Sequence, residues 1–235
     1  MYPHRLVSQA LRLGLLVTVL VLALRACGAD EKKAKPRPLP EHEKALQPGE
    51  YRSEEFEPSL SFSVGNGWTN VPPESSEFLA LQRGVMGGVY FFRVKEVYEP
   101  VRKGMPNDVV EAPKDPKGWV AWGRDHPYLR TSFTSEPERV EVGGVKGLQV
   151  AVVVGDLPKD YQGRCGRNCV DIGRVEGVPP LTNDVFLPGD DKARVTFLDV
   201  EGETVTISIS GPANVFDDFV PEAQKVLNSV EWRGS

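Results

Sequence analysis

The side chains able to do chemistry fall into a cysteine pair, one isolated histidine and a set of loop acids. Cys165 and Cys169 stand in Gly163-Arg164-Cys165-Gly166-Arg167-Asn168-Cys169. Two glycines let the chain turn between them, so in an oxidising compartment the pair predicts a short disulfide. Three intervening residues are one too many for a thioredoxin-type motif. Arg164 and Arg167 would lower a thiol pKa, which makes a redox site the alternative to a structural staple. Of the three histidines, His4 and His42 lie near the N-terminus and His126 precedes a proline. No serine or cysteine motif would employ His126 as a base, so no catalytic residue is assigned. Asp160, Asp171, Asp184, Asp190 and Asp191 lack the odd-position spacing and closing glutamate of a calcium loop. Neither a metal nor a cofactor is expected.

A third cysteine, Cys27, follows the apolar run Leu13–Leu24, which Arg5 and Arg12 precede and Arg25 follows. A positive start and an apolar core of this length describe an export signal. A run of twelve residues is short for a spanning helix, which needs about 20. Residues Leu24-Arg25-Ala26-Cys27-Gly28 resemble the lipobox of bacterial lipoproteins, with Arg25 departing from it. Cys27 is therefore a lipidation candidate, and two acyl chains would hold the protein at a bilayer where one is marginal. The alternatives are a plain cleaved signal or an uncleaved anchor. Each leaves the remaining chain outside the cytoplasm, membrane-anchored or secreted.

Residues 1–27 are thus read as signal or anchor and residues 28–50 as a tether, dense in Lys, Glu and Pro and too poor in apolar groups to fold alone. The first 27 residues hold three of the 28 basic residues and no acid, leaving 25 bases against 33 acids. No basic stripe interleaves with aromatics, so nucleic acid is not an expected partner. The expected partners are the membrane, through the N-terminus, and an envelope protein or small ligand.

Residues 51–232 are read as one domain. Leu60–Val64 and Thr204–Ser210 alternate with period two. In the latter, Val205, Ile207 and Ile209 face a core, while Thr204, Thr206 and Ser208 face a partly wet side. Phe78–Gln82, Val89–Tyr98, Arg139–Val142, Gly147–Val154 and Ala193–Val200 are further strands, and Gly143-Gly144 turns a hairpin. Exposure of Tyr90, Phe92 or Tyr98 would mark a ligand face. Asp115-Pro116 starts a short helix carrying Trp119 and Trp122, which Pro127 ends. Phe216, Phe219, Ala223, Val226, Leu227 and Val230 recur at helical spacing, giving an amphipathic helix over Asp217–Ser229, in which Pro221 is tolerable only in the first turn. Val101–Lys114 reads as loop and Gly155–Pro188 as a long excursion. The expected class is α+β, an antiparallel sheet covered by the short middle helix and the C-terminal helix; a β-sandwich or two small domains are the alternatives.

Phe56-Glu57-Pro58 leading into Leu60-Ser61-Phe62, Gly67-Trp68, Trp119, Val142-Gly143-Gly144, Asp199-Val200 with Gly202, and the Phe219–Val230 helix resemble the PsbP-like fold. They are also similar to uncharacterised exported lipoproteins of high-GC Gram-positive bacteria. The resemblance spans about residues 51–232 and implies an exported accessory or binding domain. It carries over no catalytic residue. The function expected is a membrane-tethered, non-enzymatic binding domain of the cell envelope, with an envelope hydrolase or thiol redox enzyme as the alternative.

Overall fold

The computed structural model describes residues 35–131, 137–166, 168–176 and 183–233. The apolar run, Cys27 and its lipobox-like surroundings lie outside them.

The described chain holds, in order, β1 (Arg37–Pro38), β2 (Lys44–Ala45), β3 (Gly49–Arg52), β4 (Leu60–Val64), β5 (Thr69–Asn70), β6 (Phe78–Gln82), β7 (Gly88–Phe92), β8 (Glu96–Tyr98) and β9 (Val109–Glu111). Helix α1 (Pro116–Asp125) follows, then β10 (Leu129–Thr131), β11 (Glu138–Val142), β12 (Val145–Val154), β13 (Cys169–Arg174), β14 (Asp184–Pro188), β15 (Asp191–Val200) and β16 (Glu203–Pro212). Helix α2 (Phe216–Leu227) and β17 (Glu231–Trp232) close the domain. The strands form three sheets. The central one runs β10-β12-β15-β16-β7-β6-β5-β2, with β11 also on β12; the others run β1-β3-β4-β17 and β14-β13-β8-β9.

This corrects the expected α+β class. The described residues form two helices of 10 and 12 residues against seventeen strands, so the fold is β-rich. Strands supply much of the cover assigned to helices. On one face of the central sheet, Tyr51, Leu60 and Phe62 of the first small sheet join Phe219, Val226 and Leu227 of α2 over Leu81, Phe91 and Ile207. On the other, Val97 and Leu187 of the third sheet join Trp119 of α1 over Phe92, Val150 and Phe197. The layering stands nearer the sandwich alternative than a helix-covered sheet. Apart from β4, whose alternation is visible in the sequence, the covering strands escape a period-two search because they are short and carry Pro, Gly and charges.

Three boundaries also move. The folded part begins before Tyr51, because Leu39 and Leu46 are buried in the first core and β1 and β2 pair into sheets. The stretch Val89–Tyr98 is two strands in different sheets, β7 and β8, so its broken alternation marks a change of sheet. Val101–Lys114 contains β9, and the excursion from Gly155 contains β13 and β14.

The helix ends follow local chemistry. Asp115 caps α1, its carboxylate accepting from the backbone N–H groups of Lys117 and Gly118 at 2.9 Å each, and Pro116 fills the first position. Val215 gives α2 no side-chain cap, while Asp217 and Asp218 bring negative charge to its first turn. Pro221 falls in the second turn of α2 and not the first, where it removes one helical hydrogen bond. Phe219, Ala223, Val226 and Leu227 are all essentially inaccessible, and that burial holds the helix.

Candidate functional site

Strand registers place β16 between β7 and β15, with Thr206 opposite Phe92 and Phe197, Ser208 opposite Tyr90 and Val195, and Ser210 opposite Gly88 and Ala193. Directly opposed residues share a face. One face of the central sheet therefore carries a row of hydroxyls flanked by aromatic and aliphatic side chains. Val205, Ile207 and Ile209 point to the other face and are buried in the α2 core.

The hydroxyl face is incompletely covered. Helix α1 lays Trp119 on Phe197, ring centroids 5.4 Å apart and nearly parallel at 12°, with Trp122 edge-on to Trp119 at 5.5 Å. Strand β14 brings Val185 and Leu187 in from the other side. Between cover and sheet lies a cavity of about 430 Å³, lined mostly by apolar side chains including Phe78, Tyr90, Phe92, Trp119, Trp122 and Phe197. That size, an apolar lining and a few polar groups are the attributes of a small-molecule site.

Its two ends differ. At one, Phe92 lies 5.6 Å from Phe78, near the Trp119–Phe197 stack. Towards the other, Tyr90 runs parallel to Phe92 at 6.0 Å and folds over Gly88, where an added Cβ would meet the Tyr90 phenol at 2.6 Å. Gly88 thereby makes room for the ring and sets the Tyr90 hydroxyl beside Ser210, the register partner of Gly88. Asp191, two residues before Ala193, completes this end. Burial, and then neighbouring Asp190, push the Asp191 carboxyl above its ordinary pKa. Burial, and then Asp191, raise that of Tyr90. Lys192 turns away, its ammonium meeting Asp217 at 3.3 Å. The Thr206 hydroxyl is buried with no hydrogen-bond partner among the described residues.

Asp184 stands on the cavity wall in a tight ionic cluster. It accepts a short hydrogen bond from the Tyr98 hydroxyl and lies 3.4 Å from the Arg164 guanidinium. Arg174 Nε donates to the Tyr98 hydroxyl at 2.8 Å. Arg164 adjoins Cys165, which lies at disulfide distance from Cys169, the Cα atoms 6.1 Å apart. The cysteine loop is thereby coupled to the cavity wall through Arg164. The backbone N–H of Arg164 also donates to Asp171 at 2.9 Å, and burial foremost raises the Asp171 pKa.

Of the residues singled out in the sequence, Arg164 joins Asp171 to Asp184, and Asp184 and Asp191 line the cavity. Asp160 is exposed. His126 is buried beneath Trp122 at 5.0 Å, and burial lowers its pKa to about 4. Its Nδ1 accepts from the Tyr128 backbone N–H at 3.3 Å. His126 reaches Asp171 only through intermediaries: its ring meets Tyr128, Tyr128 meets Tyr161, and the Tyr161 hydroxyl accepts from the Asp171 N–H. Among the described residues no group of three or more metal-ligating side chains forms. The cavity itself was signalled in the sequence only by the polar alternation in β16 and by Tyr90 and Phe92.

No protein-family model matches the chain, and no curated protein matches it. Among solved structures, the solution structure of cyanobacterial PsbP (CyanoP) from Synechocystis sp. PCC 6803 is similar at a TM-score of 0.40 and 10% sequence identity, over 80% of this chain and 95% of that one. A likeness of this degree assigns neither ligand nor reaction.

Proposed function

We propose that this chain is an exported binding protein, held at the membrane by its N-terminus, that takes an apolar small molecule between the hydroxyl face of its central sheet and helix α1. The observation that carries the reading is the cavity of about 430 Å³ among Phe78, Tyr90, Phe92, Trp119, Trp122 and Phe197. Apolar surface left facing a void forfeits dispersion contacts that a ligand restores. In this reading the Leu13–Leu24 run directs export, and a lipidated Cys27 supplies the anchor.

The experiment is calorimetric titration of the full chain in phosphatidylcholine nanodiscs with octanol, empty discs subtracted. Wild type should saturate. Ser208→Trp, which fills the cavity from its floor, should show no saturable heat at an unchanged melting temperature. Absence of saturable binding to wild type overturns the cavity reading. For the anchor, Cys27→Ser should shift the protein from membrane to soluble extracytoplasmic fractions, and an unchanged distribution refutes lipid attachment at that residue.

A further inference from the structure

The cavity's charged lining is of one sign. Among the described residues it is lined by Asp184 and Asp191 and by no lysine or arginine. The two carboxylates are not equivalent. Asp184 is neutralised by Arg164 and Arg174 and accepts from Tyr98. Asp191 has no ion pair or side-chain hydrogen bond within the described chain, since the adjacent Lys192 is committed to Asp217 on the opposite face of the sheet. Among the described residues the Tyr90 and Ser210 hydroxyls near it make no side-chain hydrogen bond, and Tyr90 feels the Asp191 charge.

A half-buried carboxylate next to apolar walls favours a cation that can share its desolvated surroundings and opposes an anion. An ammonium group carries three donors and no acceptor. That set complements the acceptors gathered here, namely the Asp191 carboxylate and the oxygens of Tyr90 and Ser210. The remaining cavity, running along the strands to Trp119 and Phe197, suits hydrocarbon or a flat ring. The distance is set by the six residues from Asp191 to Phe197, about 20 Å of strand.

We infer that the ligand is a cationic amphiphile, its protonated amine seated on Asp191 between Tyr90 and Ser210 and its apolar body lying toward Trp119. The inference rests on the cavity being a binding site, and it sets the ligand apart from fatty acids and other anionic lipids.

The test compares octylamine, octanol and octanoate, matched in chain length, at neutral pH on the full chain in phosphatidylcholine nanodiscs. Octylamine should bind about tenfold more tightly than octanol, the scale of a charge-assisted hydrogen bond, and octanoate more weakly than octanol. Asp191→Asn should bring octylamine to within about twofold of octanol while leaving octanol unchanged. The double variant Tyr90→Phe/Ser210→Ala should narrow the ratio part of the way. If octanol binds but octylamine gains nothing over it, or keeps its advantage in Asp191→Asn, the head-group assignment is overturned and the cavity reading survives. If octanol does not bind, the cavity reading itself fails. Should Asp191→Asn not fold, the wild-type order decides: amine, alcohol, carboxylate supports the inference and any other order overturns it.

Discussion

The two faces of the central sheet are built from the same strands and end in opposite states. In β16 alone, Val205, Ile207 and Ile209 are fully buried against α2, while Thr206, Ser208 and Ser210 look into a cavity. The covers differ as well. The closed face receives a 12-residue helix with a continuous apolar stripe and the four-stranded sheet of β1, β3, β4 and β17. The open face receives a 10-residue helix whose two tryptophans stand edge to face, and a sheet edge that approaches mainly through β14. A packed core needs apolar shapes matched on both sides. The hydroxyl row lacks such shapes, so this face closes around space.

Charge placed on the closed face should be the most damaging change. Leu227→Asp buries an unpaired carboxylate at a residue 1% exposed and should abolish folding, a cost above about 4 kcal/mol. Thermal unfolding beside wild type checks it, and equal melting temperatures would erase the distinction between the faces. Ile207→Ala, within the same core, should cost about 2–5 kcal/mol, read from denaturant midpoints.

His126 probes the cover of the open face. Its pKa of about 4 in the folded chain lies below the value of about 6.5 for an unfolded histidine. The unfolded chain therefore binds the extra proton between these values. Stability is complete above pH about 6.5 and is lost as pH falls toward 4, by about 3 kcal/mol. Unfolding free energies at pH 7 and 4 should show His126→Phe losing this part of the slope, and an unchanged slope would refute it.

The cysteine loop should matter less. Its closed loop is short, with the cysteines four positions apart, and chain entropy allows about 2 kcal/mol for such a link. The Cys165→Ser/Cys169→Ser double variant, compared with wild type in urea, measures it. Smallest of all, Ser208→Ala on the open face should change stability by no more than about 0.5 kcal/mol. A cost near that of Ile207→Ala would mean that both faces are packed alike.

What the sequence makes legible tracks how local the cause is. Asp115-Pro116 announces α1 because capping is decided within three residues. The spacing from Phe216 to Val230 announces α2, and the alternation in Thr204–Ser210 assigns the two faces of β16. The cysteine pair is legible because its partners are neighbours. Leu39 and Leu46 were hidden in a proline-rich stretch because their burial depends on strands later in the chain. β13 and β14 within Gly155–Pro188 are hard to read because each alternates over only two apolar residues, Val170 and Ile172 in one and Val185 and Leu187 in the other. The cavity is the least legible feature. Phe78, Tyr90, Trp119, Asp191 and Phe197 come from separate elements, and a void has no sequence signature of its own.

The pairing of β17 with β4 carries a kinetic consequence. Glu231 and Trp232 pair with Ser61 and Leu60, the Trp232 indole N–H donates to the Val142 carbonyl at 2.9 Å, and Ser229 accepts from the Ser63 backbone N–H at 2.8 Å. The segment after α2 thus secures β4 across a sequence separation of 166 residues. Contacts of such high order are slow to form, because the loop they close must be ordered before they reward it. The first core therefore completes its packing only once residues 229–232 have found β4, so the closing of this face waits on a non-local pairing.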